Sequence, residues 1–130
     1  EIPKRDWSSD VCSSDLGNPL ACAVALAVQH EIEDKNIVGN AADVGAYFLG
    51  KLEALKAKHP GIKDARGRGL LLALEFDEAV ALKVLASMRD KGLIANALNA
   101  TTLRFIPPLI VTREEVDEAV GILEAALNER

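Results

Sequence analysis

Aromatic side chains are scarce in these 130 residues, with one Trp, one Tyr and three Phe. So few rings argue against a surface that stacks nucleic-acid bases. The net charge of −5 argues against a general nucleic-acid or anionic-membrane surface. Two cysteines, Cys12 and Cys22, do not make a disulfide framework, and a reduced, cytoplasmic protein is the simpler expectation. The longest apolar run, Pro19 to Val28, is far too short to span a bilayer, and nothing resembles a signal peptide. His30 and His59 stand alone near predicted helix ends. No set of His, Cys and carboxylates has the spacing of metal ligands, so no metal site is expected. Gly67-Arg68-Gly69 lacks the third glycine and the strand-to-helix turn of a dinucleotide fingerprint, and reads as a tight turn.

What is present describes an ordinary soluble domain: 49% hydrophobic and 27% charged residues, in a chain long enough for one real core. Residues 1–16 differ in kind. They are rich in Ser and Asp and show no periodicity, and Arg5 to Leu16 resembles one reading frame of a sequencing-library adaptor. They are read as a non-native segment and given no functional weight, leaving 17–130 as the folded part.

From Gly17 the pattern is regular. Asn18 suits a helix cap and Pro19 the first helical position. Leu20 to Val28 is apolar on every side, which predicts a buried helix with Cys22 as a small hydrophobe within it. Asn36 to Asn40 reads as a break. A second helix runs to about Lys58, with Val44, Phe48, Leu52 and Leu55 inward and Pro60-Gly61 as its stop. Strands are predicted at Ile62–Arg66 and Leu70–Phe76, the second apolar enough to be covered on both faces. Asp77-Glu78 opens a third helix ending before Gly92, with Ala81, Val84, Leu85 and Met88 inward. Leu93–Ala97 and Thr101–Ile106 are two more strands. Thr112-Arg113-Glu114-Glu115 has the spacing of a capping box for a last helix carrying Val116, Val120, Leu123 and Leu127 on one stripe. The sum is an α+β domain with helices on a sheet.

One residue does not fit a purely structural reading. Arg104 lies in an apolar strand, with Leu103 and Phe105 on one face and Thr102 and Ile106 with it on the other, just before Pro107-Pro108. A cation there must reach solvent, find a structural ion pair, or bind a ligand. Its planar fork suits a carboxylate, which it can hold by two parallel hydrogen bonds.

Three blocks, in this order and spacing, carry a resemblance: Gly17-Asn18-Pro19-Leu20-Ala21-Cys22-Ala23, Ala65-Arg66-Gly67-Arg68-Gly69-Leu70 and Leu103-Arg104-Phe105-Ile106-Pro107-Pro108-Leu109. From Gly17 to about Leu127 the chain resembles the C-terminal part of class III, fold-type I pyridoxal-phosphate aminotransferases, in the acetylornithine, ornithine and putrescine subgroup. The resemblance implies the small C-terminal domain of that fold, with a short, mainly antiparallel sheet. It implies a homodimer, pyridoxal 5'-phosphate as electron sink, 2-oxoglutarate as acceptor, and arginine biosynthesis as one setting. It matches Arg104 to the arginine that binds the substrate α-carboxylate. None of the eight lysines has the family's Schiff-base context, and no cofactor-binding residue is carried over. The family threonine that touches the cofactor phosphate would fall near Ser14, inside the adaptor-like segment. A fragment inactive by itself is the expectation. A 4-aminobutyrate aminotransferase, an aminomutase or racemase with the same cofactor, and a non-catalytic interaction module remain the alternatives.

Overall fold

The computed structural model describes residues 18–129, so the adaptor-like segment lies outside the described residues. Contacts group the chain into two compact units, 1–36 and 37–130, each described by itself.

In the first unit, helix α1 spans Pro19–Asp34. The Asn18 side chain accepts a hydrogen bond from the Leu20 N–H at 2.9 Å, and proline occupies the first turn, where its missing N–H costs nothing. The predicted burial of this helix is corrected: none of its residues is buried. Leu20 is 73% exposed, Cys22 is free and exposed, and Val24, Leu26 and Val28 also face outward. A helix apolar on all sides has no preferred buried stripe, and the described residues of this unit supply no second element to cover it.

The second unit starts sooner than expected. Asn36 takes the left-handed conformation, φ 47°, which ends one helix in a single residue, and helix α2 runs Ile37–Lys58. The predicted break at 36–40 therefore shrinks to the Lys35-Asn36 turn. Val44, Phe48, Leu52 and Leu55 are buried on the inner stripe, as their spacing predicts.

Strands β1 (Ile62–Arg68), β2 (Leu71–Phe76), β3 (Asn96–Asn99) and β4 (Thr102–Phe105) form one antiparallel sheet in the order β1-β2-β4-β3. Strand β1 extends through Gly67 and Arg68, and the tight turn falls on Gly69-Leu70 instead. Gly69 has φ +55°, a conformation glycine adopts without penalty. Helix α2 crosses this turn so closely that a Cβ on Gly45 would lie 2.2 Å from the Gly69 carbonyl oxygen.

Burial along β2 alternates: Leu72, Leu74 and Phe76 are buried, Leu71 is exposed, and Ala73 and Glu75 are intermediate. The expectation that this strand is covered on both faces is thus corrected. Its side chains follow the period of two and the described residues cover one face. On that covered face α2 packs against β1 and β2 and α3 (Ala81–Asp90) against β3 and β4, while α4 (Arg113–Asn128) packs on α2 and α3.

Helix α3 starts at Ala81, later than Asp77, and its Val80 cap makes no side-chain bond. It ends at Gly92, φ +91°, with the Leu93 N–H reaching the Met88 carbonyl at 2.9 Å and the Gly92 N–H the Arg89 carbonyl at 3.0 Å. This closing motif ties Leu93 to the helix. It is why the third strand occupies Asn96–Asn99 and not Leu93–Ala97. Helix α4 starts as predicted: Thr112 accepts from the Glu115 N–H and the Glu115 carboxylate accepts from the Thr112 N–H. No helix among the described residues is long and apolar enough to cross a membrane.

A half-buried arginine on the open sheet face

Strand β4 is fixed by what lies on its other side. Leu103 is fully buried, and the Phe105 ring meets Phe48 of α2 edge-on, with centroids 5.5 Å apart and planes at 61°. With these two locked into the core, alternation sends Thr102 and Arg104 to the opposite face. Thr102 is 4% exposed and Arg104 is half-buried.

The sheet register defines the surroundings of Arg104. Ala73 of β2 lies directly opposite on one flank and Asn96 of β3 on the other. Neither carries charge. The nearest acid in the register is Glu75, opposite Thr102, and it is already engaged by Lys63 and by Arg66, each at 2.6 Å. Arg66 also holds Asp64 at 2.9 Å. Among the described residues no carboxylate pairs with Arg104, and its Nε is buried without a hydrogen-bond partner. An orphaned buried donor of this kind costs about 1–3 kcal/mol, more when charged. Of the three roles open to Arg104, a structural ion pair is therefore the one the described residues do not supply.

Two hydrogen bonds donated to Glu75, by Lys63 first and Arg66 second, hold its carboxyl below the ordinary range, and Asp64 is lowered chiefly by Arg66. A lowered carboxylate contributes stability that is fully present above its unfolded pKa and is lost as pH falls through the folded one. Thermal melts between about pH 7 and about pH 3 are expected to show this loss, reduced in Glu75→Gln and by added salt. Parallel pH profiles for variant and wild type would refute it.

A second contribution was not visible in the sequence. Asn40, in the first turn of α2, donates its side-chain N–H groups to the carbonyls of Leu109 and Val111, at 2.8 and 3.2 Å. Pro107 and Pro108 have no backbone N–H of their own, so this loop after Arg104 is anchored from outside. Nothing in the local pattern reports a contact across 69 residues. Asn40→Ala should lower stability by about 2 kcal/mol, roughly one for each hydrogen bond; an unchanged denaturation midpoint would count against this anchoring.

Among the described residues every lysine is paired or exposed. Lys35, Lys51, Lys56, Lys58, Lys63 and Lys91 each meet a carboxylate, and Lys83 is exposed on α3. Lys35, Lys51 and Lys63 are held above the ordinary lysine value, in each case first by a hydrogen bond to the acid. Imine-forming lysines require the opposite, an amine lowered by desolvation or a neighbouring cation. The broad hollow of about 510 Å³ beside Gly45 and Gly69 does not include Arg104.

Comparison with known proteins matches the chain to one family. Residues 8–127 match the family model described as aminotransferase class-III. The chain is 42% identical over 120 residues to an acetylornithine aminotransferase of Caldanaerobacter subterraneus, covering 92% of this chain and 30% of that protein. It is 40% identical over 111 residues to an ornithine aminotransferase of Oceanobacillus iheyensis, covering 85% and 27%. Among solved structures, acetylornithine aminotransferase from Elizabethkingia anophelis superposes with a TM-score of 0.81 at 33% identity, over 88% of this chain and 31% of that one. The chain thus spans about 30% of the length of the first of these relatives.

Proposed function

The chain belongs to the class-III aminotransferases, and from that premise we propose that it is the C-terminal part of an acetylornithine- or ornithine-type aminotransferase. Its task in the whole enzyme is to hold the substrate α-carboxylate through Arg104. The observation that carries this reading is the half-buried guanidinium with a buried, unpartnered Nε and no acid on either flank. A carboxylate arriving there gains a charge-assisted, two-point contact and satisfies that donor at once.

The family's pyridoxal phosphate supplies the electron sink that makes amino-group transfer feasible. The described residues do not make a site for it, because the lysines are paired or exposed. No chemical step is therefore assigned to this chain, and by itself it is expected to be inactive. In the whole enzyme, a cytoplasmic homodimer with 2-oxoglutarate as acceptor, Arg104 binds and orients. Proton transfer belongs to other residues.

The direct assay uses a full-length fusion in which residues 17–130 replace the matching part of the Caldanaerobacter relative. The fusion should transfer an amino group from acetylornithine or ornithine to 2-oxoglutarate. A folded fusion with no transfer to any 2-oxo acid would refute the reading. The effect of changing Arg104 in this fusion is developed in the Discussion.

A further inference from the structure

Resting on that reading of Arg104, we propose that Asn96 is a second binding group for the same carboxylate. Its side-chain amide donates to the anion that Arg104 holds. The register places Asn96 directly across from Arg104 in the β3–β4 pair. Directly opposed antiparallel residues have Cβ atoms about 4.5–5.5 Å apart on one face of the sheet. The next pair, Ala97 with Leu103, belongs to the covered face, where Leu103 is fully buried and Ala97 packs against the core. That alternation fixes Asn96 to the Arg104 face.

The irregularity in β3 maintains this arrangement. The register shifts between Ala97 and Asn99, so that Asn99, not Leu98, stands opposite Thr102. Counted from the Asn99–Thr102 pair, an unshifted register would set Ala97 against Arg104, and the extra residue sets Asn96 there instead. The resulting row reads Ala73, Arg104, Asn96 across three strands. Ala73 is small and leaves the guanidinium uncovered on one side. Asn96 is neutral and polar on the other, and it is exposed, so a ligand can reach it.

The residue type is informative. An aspartate at position 96 would pair with Arg104 and compete with the incoming anion. An aliphatic residue would offer no donor. An amide provides an N–H without neutralising the arginine. A hydrogen bond to a charged group of this kind is worth about a tenfold change in affinity.

The test uses the full-length fusion with two acceptors, 2-oxoglutarate and pyruvate, which share the α-carboxylate. Asn96→Ala should raise KM for both by about tenfold, with kcat within about twofold of wild type. Asn96→Asp should raise KM further, because its charge occupies Arg104. A merely structural edge-strand residue would leave KM for both acceptors unchanged in either variant. If KM is unchanged in both Asn96 variants while Arg104→Lys raises it, the Asn96 assignment is overturned and the role of Arg104 stands. If Arg104→Lys also leaves KM unchanged, the underlying reading fails with it. A fall in kcat at constant KM would likewise overturn the binding role.

Discussion

Replacing Arg104 by alanine in the full-length fusion is expected to lower kcat/KM for 2-oxoglutarate by about a thousandfold, most of it carried by KM. The magnitude follows from the contact that is lost. Each hydrogen bond to a charged group is worth about 1.5–3 kcal/mol, and a guanidinium offers a carboxylate two in parallel. Together they correspond to roughly 4 kcal/mol of affinity once partial compensation by water is allowed. The loss should appear with every 2-oxo acid, since all present the same carboxylate. It should not be accompanied by unfolding, because Arg104 makes no ion pair among the described residues and its strand is held by Leu103 and Phe105 on the opposite face. A comparable loss of kcat at constant KM would point to a role in the reacting geometry and not in binding.

The second large effect is on stability and lies where α2 crosses the β1–β2 turn. Gly45→Ala places a methyl group 2.2 Å from the Gly69 carbonyl oxygen and 2.7 Å from its Cα, both backbone atoms that cannot swing away. Relief requires α2 to lift from the sheet, disturbing the burial of Val44 and Phe48 beside it. Overpacking of this kind costs about 3 kcal/mol, and a domain of this size then loses roughly 10–20 °C in Tm. The contrasting change is Gly50→Ala on the same helix. A Cβ there meets nothing within 4 Å, and replacing a helical glycine with alanine gains roughly 0.5–1 kcal/mol. The pair should shift Tm in opposite directions. Equal shifts would show that helix propensity, not the close crossing, dominates at Gly45.

These sites differ in how plainly the sequence announces them. The face of Arg104 was readable because alternation in Leu103-Arg104-Phe105 is a local property, and the capping box at Thr112 is likewise written in four consecutive residues. The inner stripe of α2 followed from spacing alone. Contacts between distant segments were not readable. The bonds from Asn40 to the loop after the prolines span about 70 residues, and the Gly45–Gly69 crossing requires knowing how a helix lies on a hairpin. Two expectations failed for a shared reason. The apolar letters of Leu20–Val28 and of Leu70–Leu74 were read as burial, yet apolar character reports only that a side chain tolerates burial. Which face is covered depends on neighbours that a local pattern does not name. The misplaced third strand had a different cause: the tie from Leu93 to Met88 holds those residues to α3 after its last turn.

The absence of an acid beside Arg104 also could not be deduced beforehand. Glu75 is two residues from Ala73 on the same face of the strand, and it is Lys63 and Arg66 that occupy it. Their engagement leaves the Arg104 row without a countercharge, which makes an external carboxylate the natural partner.

The most direct measurement is the apparent affinity of the full-length fusion for 2-oxoglutarate with Arg104→Lys, compared with wild type. Lysine keeps the charge and loses the two-point fork, so the account predicts a weakening of about tenfold or more with the protein still folded. An affinity unchanged by Arg104→Lys would contradict it.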